Sequence, residues 1–274
     1  MLADVIDHLI CPVCREGLAL AGGTVRCGHG HSFDVARQGY VSLLTGSAAP
    51  GTADTPAMVA ARADFLAAGH YAPLADRLAR LCADAAVVAD AGAGTGYYLA
   101  RALPETAVGI ALDISRHAIK RAARAHPRVG AVVADVWRPL PVRDASVDVL
   151  LNVFAPRNPA EFARVLRPEG TLAVVTPDAG HLRPLVERLG LLSVDEDKER
   201  RLEAALGDRF ARSGREAVEA TLDLSHPEVE AVVGMGPSAW HTDPATLAGR
   251  VRDLPDPVRV TASFRITTWA RRNS

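Results

Sequence analysis

Residues 86–96 constrain the fold more than any other stretch of the chain. The apolar run Val87-Val88-Ala89 passes through Asp90-Ala91-Gly92-Ala93-Gly94-Thr95-Gly96, and a helical pattern starts after Gly96. A buried strand entering a glycine-rich turn and then a helix has a specific use. Glycine admits positive φ and lets a ligand approach the backbone. The helix start adds N–H groups with no intrahelical partner.

The rest of the chain from Met58 repeats that logic, alternating strand and helix patterns in the manner of a parallel sheet with crossover helices. A helix pair is predicted over Ala57–Ala85, broken near Gly69 and Pro73. Strands are predicted at Ala86–Ala91, at a segment ending on Asp113, at Val129–Ala134, Val147–Val153 and Thr171–Thr176. Helices are predicted over Ser115–His126 and Pro159–Leu166. The run Val147–Val153 is almost wholly apolar, as expected of a strand covered on both faces. Arg183–Arg212 reads as charged helix, and Ala220–Leu224 and Arg259–Trp269 as late strands. The fold class is therefore α/β, Rossmann-like.

Three acids fall at strand ends: Asp90, Asp113 and Asp135. Asp113 lies about 20 residues past the loop, where an acid reaches ribose hydroxyls. Each acid alone reads as an N-cap or turn residue. Three in register line the crevice where open α/β sheets bind ligands.

The N-terminus carries a separate signal. Cys11-Pro-Val-Cys14 is followed by Cys27 and His31. Two thiolates two residues apart share one face of a metal, and Cys27 with His31 forms a second arm. Such a set suits tetrahedral Zn²⁺ with no open position, hence a structural site. His29 competes with His31 as fourth ligand. A module this small has too little core to fold without its metal. The chain divides into residues 1–45 (zinc-binding), 46–56 (a linker of small residues, Gly and Pro) and 57–274. Cys82 sits in an apolar stretch and reads as packing.

Composition bounds the function. With 274 residues and 49% hydrophobic content, one α/β domain and a small module both find a core. Net charge is −1, so nucleic-acid contact must come from local patches, not from an overall basic excess. The helix bearing Arg116, Lys120, Arg121, Arg124 and Arg128 is one such patch, although a solvated helix face is the default reading. Clustered cysteines, no basic-apolar leader and no long apolar run point to a cytoplasmic protein that spans no membrane.

The loop form GxGxG after an acid resembles that of class I S-adenosylmethionine-dependent methyltransferases, in which a third acid, here Asp135, often holds the adenine amino group. Nearly the whole chain resembles the 23S ribosomal RNA (guanine-N1) methyltransferases. The marks are Cys11-Pro-x-Cys14, Cys27, His31-Ser-Phe-Asp34, Gly39-Tyr40-Val41-Ser42-Leu43-Leu44, Ala61-Arg62-x-x-Phe65-Leu66-x-x-Gly69-His70-Tyr71-x-Pro73-Leu74, Gly92-x-Gly94-x-Gly96-Tyr97-Tyr98, Ala155-Pro156, Thr176-Pro177, His181-Leu182 and Met235-x-Pro237-x-Ala239-Trp240. The resemblance implies that Tyr71 and His181 touch S-adenosylmethionine together with Gly94 and Thr95. It implies action on hairpin 35 of 23S rRNA, in housekeeping or in macrolide (tylosin-type) resistance. It also implies a homodimer whose zinc modules flank an RNA cleft.

The target base is expected at the end of the fourth strand, Asn152-Val153-Phe154-Ala155-Pro156-Arg157. Asn152 would hydrogen-bond a base edge or cap a turn, Phe154 would stack on the base, and Arg157 would contact O6 or phosphate. Trp240 and His241 would wall the pocket or pack in the core. Two other readings share the cofactor residues: a small-molecule methyltransferase with a zinc knuckle, and a non-catalytic RNA-binding protein on the same fold.

Overall fold

The computed structural model describes residues 1–46, 53–191, 198–236 and 243–272. Ser47–Thr52 of the expected linker, Asp195 of the charged run, and Pro237, Ala239, Trp240 and His241 lie outside the described residues.

The chain opens with a single helical turn, α1 (Leu2–Val5), and a small antiparallel sheet of β1 (Leu18–Ala21), β2 (Thr24–Cys27) and β3 (Ser32–Asp34). β4 (Tyr40–Ser42) leaves that sheet and joins the large one. After it come α2 (Pro56–Ala67), α3 (Ala72–Leu81), β5 (Val87–Ala91), α4 (Tyr97–Ala102), β6 (Val108–Asp113), α5 (Arg116–Ala122), β7 (Val129–Val133), β8 (Val147–Val153), α6 (Pro159–Val165) and β9 (Leu166–Pro177). The chain ends with α7 (Arg183–Leu189), α8 (Lys198–Leu206), β10 (Phe210–Leu224), α9 (His226–Gly234), α10 (Pro244–Arg252) and β11 (Val258–Arg271).

The large sheet has the order β10-β11-β9-β8-β5-β6-β7-β4. β4 to β9 are parallel to their neighbours, and β11 and β10 close the far edge antiparallel. The chain direction across the sheet reverses between β5 and β8, which places the ligand crevice beyond the tips of those strands. β5 is buried throughout, because helices cover one face and helices plus the N-terminal segment cover the other. Its alternation divides the core. Val88 faces Leu74, Leu78 and Leu99, while Val87 and Ala89 face Leu9, Ile110 and Leu112.

The N-terminal segment belongs to that second layer. Val5 packs where Gly130 of β7 leaves room: a Cβ there would lie 2.1 Å from Val5 Cγ2. Ile10 N–H donates to Pro141 O at 3.1 Å, Arg143 N–H to His8 O at 2.8 Å and Leu43 N–H to Val133 O at 3.0 Å. Tyr40–Ser42, the end of the expected zinc module, pairs in parallel with Ala131–Val133.

One prediction needs correction. Arg183–Arg212 is not continuous helix: α7 and α8 are helical, and the chain is already strand from Phe210. Phe210 is fully buried, and β10 pairs with β11 from Phe210↔Arg271 to Leu224↔Val258. Charge hid the strand. Arg212 and Arg215 project outward and pair with Glu199 and Glu203 of α8, so helix and edge strand share one mixed-charge surface. Among the described residues, no helix is long and apolar enough to cross a membrane.

Candidate active site and metal centre

The metal centre rests on two backbone turns. Cys11 N–H donates to Glu16 O at 2.7 Å and Arg15 N–H to Cys11 O at 2.8 Å, folding the first knuckle. Gly30 N–H donates to Cys27 O at 3.0 Å and Cys27 N–H to His31 O at 3.1 Å, folding the second. The ligand atoms of Cys11, Cys14, Cys27 and His31 consequently lie within 4.8 Å of one another. Cys14 Sγ to Cys27 Sγ is 3.7 Å, and His31 Nδ1 is 3.6 Å from Cys11 Sγ and 3.3 Å from Cys27 Sγ. A tetrahedral zinc ion with Zn–S of about 2.3 Å and Zn–N of about 2.0 Å requires edges of roughly 3.8 and 3.5 Å. The donor set and spacing fit zinc. His29 is exposed and outside the cluster.

The glycine turn caps β5. Gly92 has φ 89°, and a Cβ there would sit 2.3 Å from Ala155 Cβ, so the turn and the β8 tip are in backbone contact. Gly96, at φ 79°, is the N-cap of α4 and packs against Ala122. Thr95 is buried between them. Asp90, Asp113 and Asp135 end or follow β5, β6 and β7, which are neighbours in the sheet, so the fold brings the three acids to one rim.

Their environments differ. Asp90 is 1% exposed, and neither carboxylate oxygen has a partner among the described residues. Burial, reinforced by the Asp113 charge, pushes its carboxyl up to about 8. Asp113 accepts from Gly94 N–H and Ser115 N–H, both at 2.8 Å, bracing the turn. Burial still raises its carboxyl against those two donors. Each oxygen keeps a lone pair for a ribose hydroxyl. Asp135 accepts from Trp137 N–H at 3.0 Å and pairs with Arg138 at 3.5 Å. A buried carboxylate without donors is costly, and a cation supplied by a ligand removes the cost. The ammonium of S-adenosylmethionine is such a cation, so these residues fit that cofactor.

Tyr71 and His181 meet at the crevice: Tyr71 Oη lies 3.3 Å from His181 Nε2. Ser263 N–H donates to His181 Nδ1 at 3.2 Å, so in the neutral ring Nε2 carries the proton and faces Tyr71. Tyr71 is buried, which raises its phenol above the ordinary value. Phe264 packs edge-on against Tyr71 with ring centroids 4.7 Å apart and lies 5.5 Å from Phe154.

The three residues expected at the base have different surroundings. Asn152 is fully buried, and its Nδ2 donates to Ala91 O at 2.9 Å and Pro156 O at 2.8 Å, tying β5 to the turn after β8. Its amide hydrogens are thereby committed, and its Oδ1 is buried with no partner among the described residues. Phe154 is 43% exposed at φ 55°, with its ring beside Tyr98 and Phe264. Arg157 is half-buried, its Nε is without a partner among the described residues, and burial lowers its pKa.

Two neighbours of the site were not singled out as site residues by the sequence: Arg62, present only as a family mark, and Phe264. Arg62 pairs with Asp54, donates to Met235 O at 2.8 Å and would stand 3.5 Å from a Cβ on Gly94. Phe264 was visible only as one apolar position in an alternating strand. Long-range packing, not local pattern, brings Arg62 and Phe264 to the loop.

Residues 9–46 match the zinc-ribbon family described as RlmA, N-terminal, and residues 88–170 match a methyltransferase domain. The chain is 50% identical to the Streptomyces fradiae 23S rRNA (guanine(748)-N(1))-methyltransferase, covering 97% of this chain and 98% of that one. It is 52% identical to the Micromonospora griseorubida protein named "Putative 23S rRNA (guanine-N(1)-)-methyltransferase", covering 98% and 99%. Among solved structures, one titled "Complex between the Haloferax volcanii Trm112 methyltransferase activator and the putative methyltransferase" superposes with a TM-score of 0.52 at 20% identity. The match covers 81% of this chain and 99% of that one, a likeness of fold. With a Cys₃His cluster ahead of an acid-rimmed glycine turn, and with identity of this degree along almost its entire length, the chain belongs to the 23S rRNA (guanine-N1) methyltransferase family.

Proposed function

We propose that this chain methylates N1 of a guanine in hairpin 35 of 23S rRNA, and that its target corresponds to the guanine numbered 748 in the name of the Streptomyces fradiae relative. The observation that carries the reading is Phe154. A non-glycine residue at positive φ is strained, and the strain persists only where the surroundings impose it. Here the imposed geometry holds an aromatic ring in solvent at the tip of β8, next to the glycine turn.

S-adenosylmethionine supplies an already activated methyl group, so the protein has mainly to align donor and acceptor. Asp90 takes the ammonium and Asp113 the ribose, while Tyr71 and His181 close the methionine end. Asp135 lies on the adenine side. Phe154 stacks on the unpaired guanine. Guanine N1 carries a proton at neutral pH; as the N1–carbon bond forms and the carbon–sulfur bond breaks, that proton passes to solvent water, and negative charge develops transiently on O6. The half-buried Arg157 guanidinium, which follows the β8 tip, offers O6 a donor. Residues 1–45 grip the hairpin through a zinc-held scaffold, 57–274 carry out the transfer, and 46–56 join them. The assembly is a cytoplasmic homodimer, for which light scattering should give twice the 29.0 kDa chain mass.

The test is incubation of 23S rRNA hairpin fragments with labelled cofactor, followed by primer extension. A methyl on N1 blocks pairing, so a stop in hairpin 35 reports both atom and position. Phe154→Ala should keep cofactor affinity and lower the rate by about 10- to 100-fold, the worth of one stacked base. A stop elsewhere, or label only on non-nucleic substrates, defeats the assignment.

A further inference from the structure

We propose that the groove between α2 and α5 is a binding track for the phosphate backbone of the RNA substrate. The groove is lined by Pro56 and Val59 on one wall and by His117, Lys120, Arg121 and Arg124 on the other. Those four fall at positions i, i+3, i+4 and i+7, the spacing of a single helix face. The opposite face, Ala118, Ile119 and Ala122, is buried against the sheet. α5 and the turn that follows it therefore present a cationic outer face; Arg124 lies in that turn, two residues past Ala122, and all four residues are exposed.

What distinguishes this face is that its unmatched cations are adjacent, whereas many arginines elsewhere are paired. Arg62 pairs with Asp54, Arg77 with Glu216, Arg101 with Asp76, Arg167 with Asp148 and Arg265 with Asp178. Lys120, Arg121 and Arg124 have no acid at ion-pair distance among the described residues. Like charges crowded on one surface, as Lys120, Arg121 and Arg124 are, repel one another. Favourable placement at the helix C-terminus compensates for one or two of these charges. It does not account for their concentration against an apolar wall. A chain of net charge −1 that leaves this face unmatched has a site for an external polyanion.

Position selects the polyanion. α5 is capped by Ser115, whose N–H is held by Asp113 and whose hydroxyl donates to Asp54 O at 3.1 Å. The groove thus opens a few residues from the cofactor crevice, on the sheet face opposite the one the metal-binding segment packs against. A strand that delivers its base to the crevice from this face passes it. The exposed Pro56 offers apolar contact to sugar faces, and the cations offer contact to phosphates. The assignment rests on the rRNA substrate proposed above.

The test uses the full zinc-loaded protein and a 23S rRNA hairpin 35 fragment, with affinity measured across a salt series. The triple substitution Lys120→Ala, Arg121→Ala, Arg124→Ala should weaken binding at least tenfold. It should also reduce the slope of log K against log salt by about two, as three single-strand phosphate contacts require. A charge-keeping set, Lys120→Arg, Arg121→Lys, Arg124→Lys, should retain the slope. Cofactor binding heat and melting temperature should match the unsubstituted protein in both, which separates a lost contact from a lost fold. An unchanged slope and affinity in the alanine set overturns the track. So does binding of the unsubstituted protein to anionic phospholipid vesicles that the alanine set loses while keeping its RNA affinity. If the unsubstituted protein shows no salt-dependent binding to the fragment, the substrate reading itself fails, and that is visible before any variant is made.

Discussion

Replacing Asp90 by Asn is expected to stabilise the cofactor-free protein and to weaken its grip on S-adenosylmethionine by on the order of a hundredfold. Both effects come from one buried carboxyl. In the unfolded chain it loses its proton near the ordinary value of 3.8, whereas in the fold it holds the proton up to about 8. Between those limits the unfolded state binds fewer protons, so stability falls as pH rises from about 4 and levels off above about 8. Asn carries no such penalty. The melting-temperature advantage of Asp90→Asn should therefore be small at pH 5 and reach several degrees at pH 8, from a few kcal/mol of relieved desolvation. Cofactor binding needs the ionised form. Affinity in the unsubstituted protein should rise with pH up to about 8, where the cofactor's own α-amino group, with a pKa of about 7.7–8.0, begins to lose its charge. The variant should lose the acid limb of that profile. Equal affinity in the two proteins, with no pH-dependent gap in melting temperature, would remove Asp90 from the ammonium site.

The sequence made the centre of this molecule legible because burial and alternation dictate it. Val147–Val153 is strand over the range its mostly apolar run predicts, as expected of a strand covered on both faces. Gly92 and Gly96 stand at positive φ for the reasons their types suggest. Local pattern failed where a partner elsewhere in the chain decides the conformation. Phe210–Leu224 carries Arg, Glu and Asp at its outward positions, and only its pairing with β11 makes it a strand. The same holds at the site. Asp90 and Asp113 could be read as a pair of strand-end acids. That one is bare and the other braced by Gly94 and Ser115 depends on which donors the fold delivers. Asn152 looked equally suited to a base edge or a turn, and the carbonyls of Ala91 and Pro156 claim its amide hydrogens.

Removing zinc is expected to lower the melting temperature of the entire chain by ten degrees or more, in one transition. A linker of small residues after residue 45 suggests instead a module that melts alone. Covalent order and packing differ here. Leu2, Val5, Leu9, Cys11, Val25 and Cys27 belong to the same apolar cluster as Val87, Ile110, Leu112 and Val132 of the large sheet. β4 adds a strand to that sheet, Leu43 N–H bonds Val133 O of β7, and backbone hydrogen bonds at His8 and Ile10 fasten the start of the metal-binding segment to the β7–β8 connection. Structural zinc contributes apparent binding energies of about 10–16 kcal/mol in isolated modules. If a third of that reaches the main sheet, the shift is on the order of ten degrees for a chain of this size. Calorimetric melts with and without a strong chelator, and of His31→Ala, make the measurement. A small early transition with the main one unmoved would mean that the metal end hangs on the sheet without supporting it. A single transition displaced by ten degrees would mean that losing the metal uncovers Val132 and Ile110, and that β6 and β7, which carry Asp113 and lead into Asp135, lose their backing. Metal loss would then weaken cofactor binding although none of the four ligands touches the cofactor, because the zinc-held segment is one of the two walls that keep the crevice strands in place.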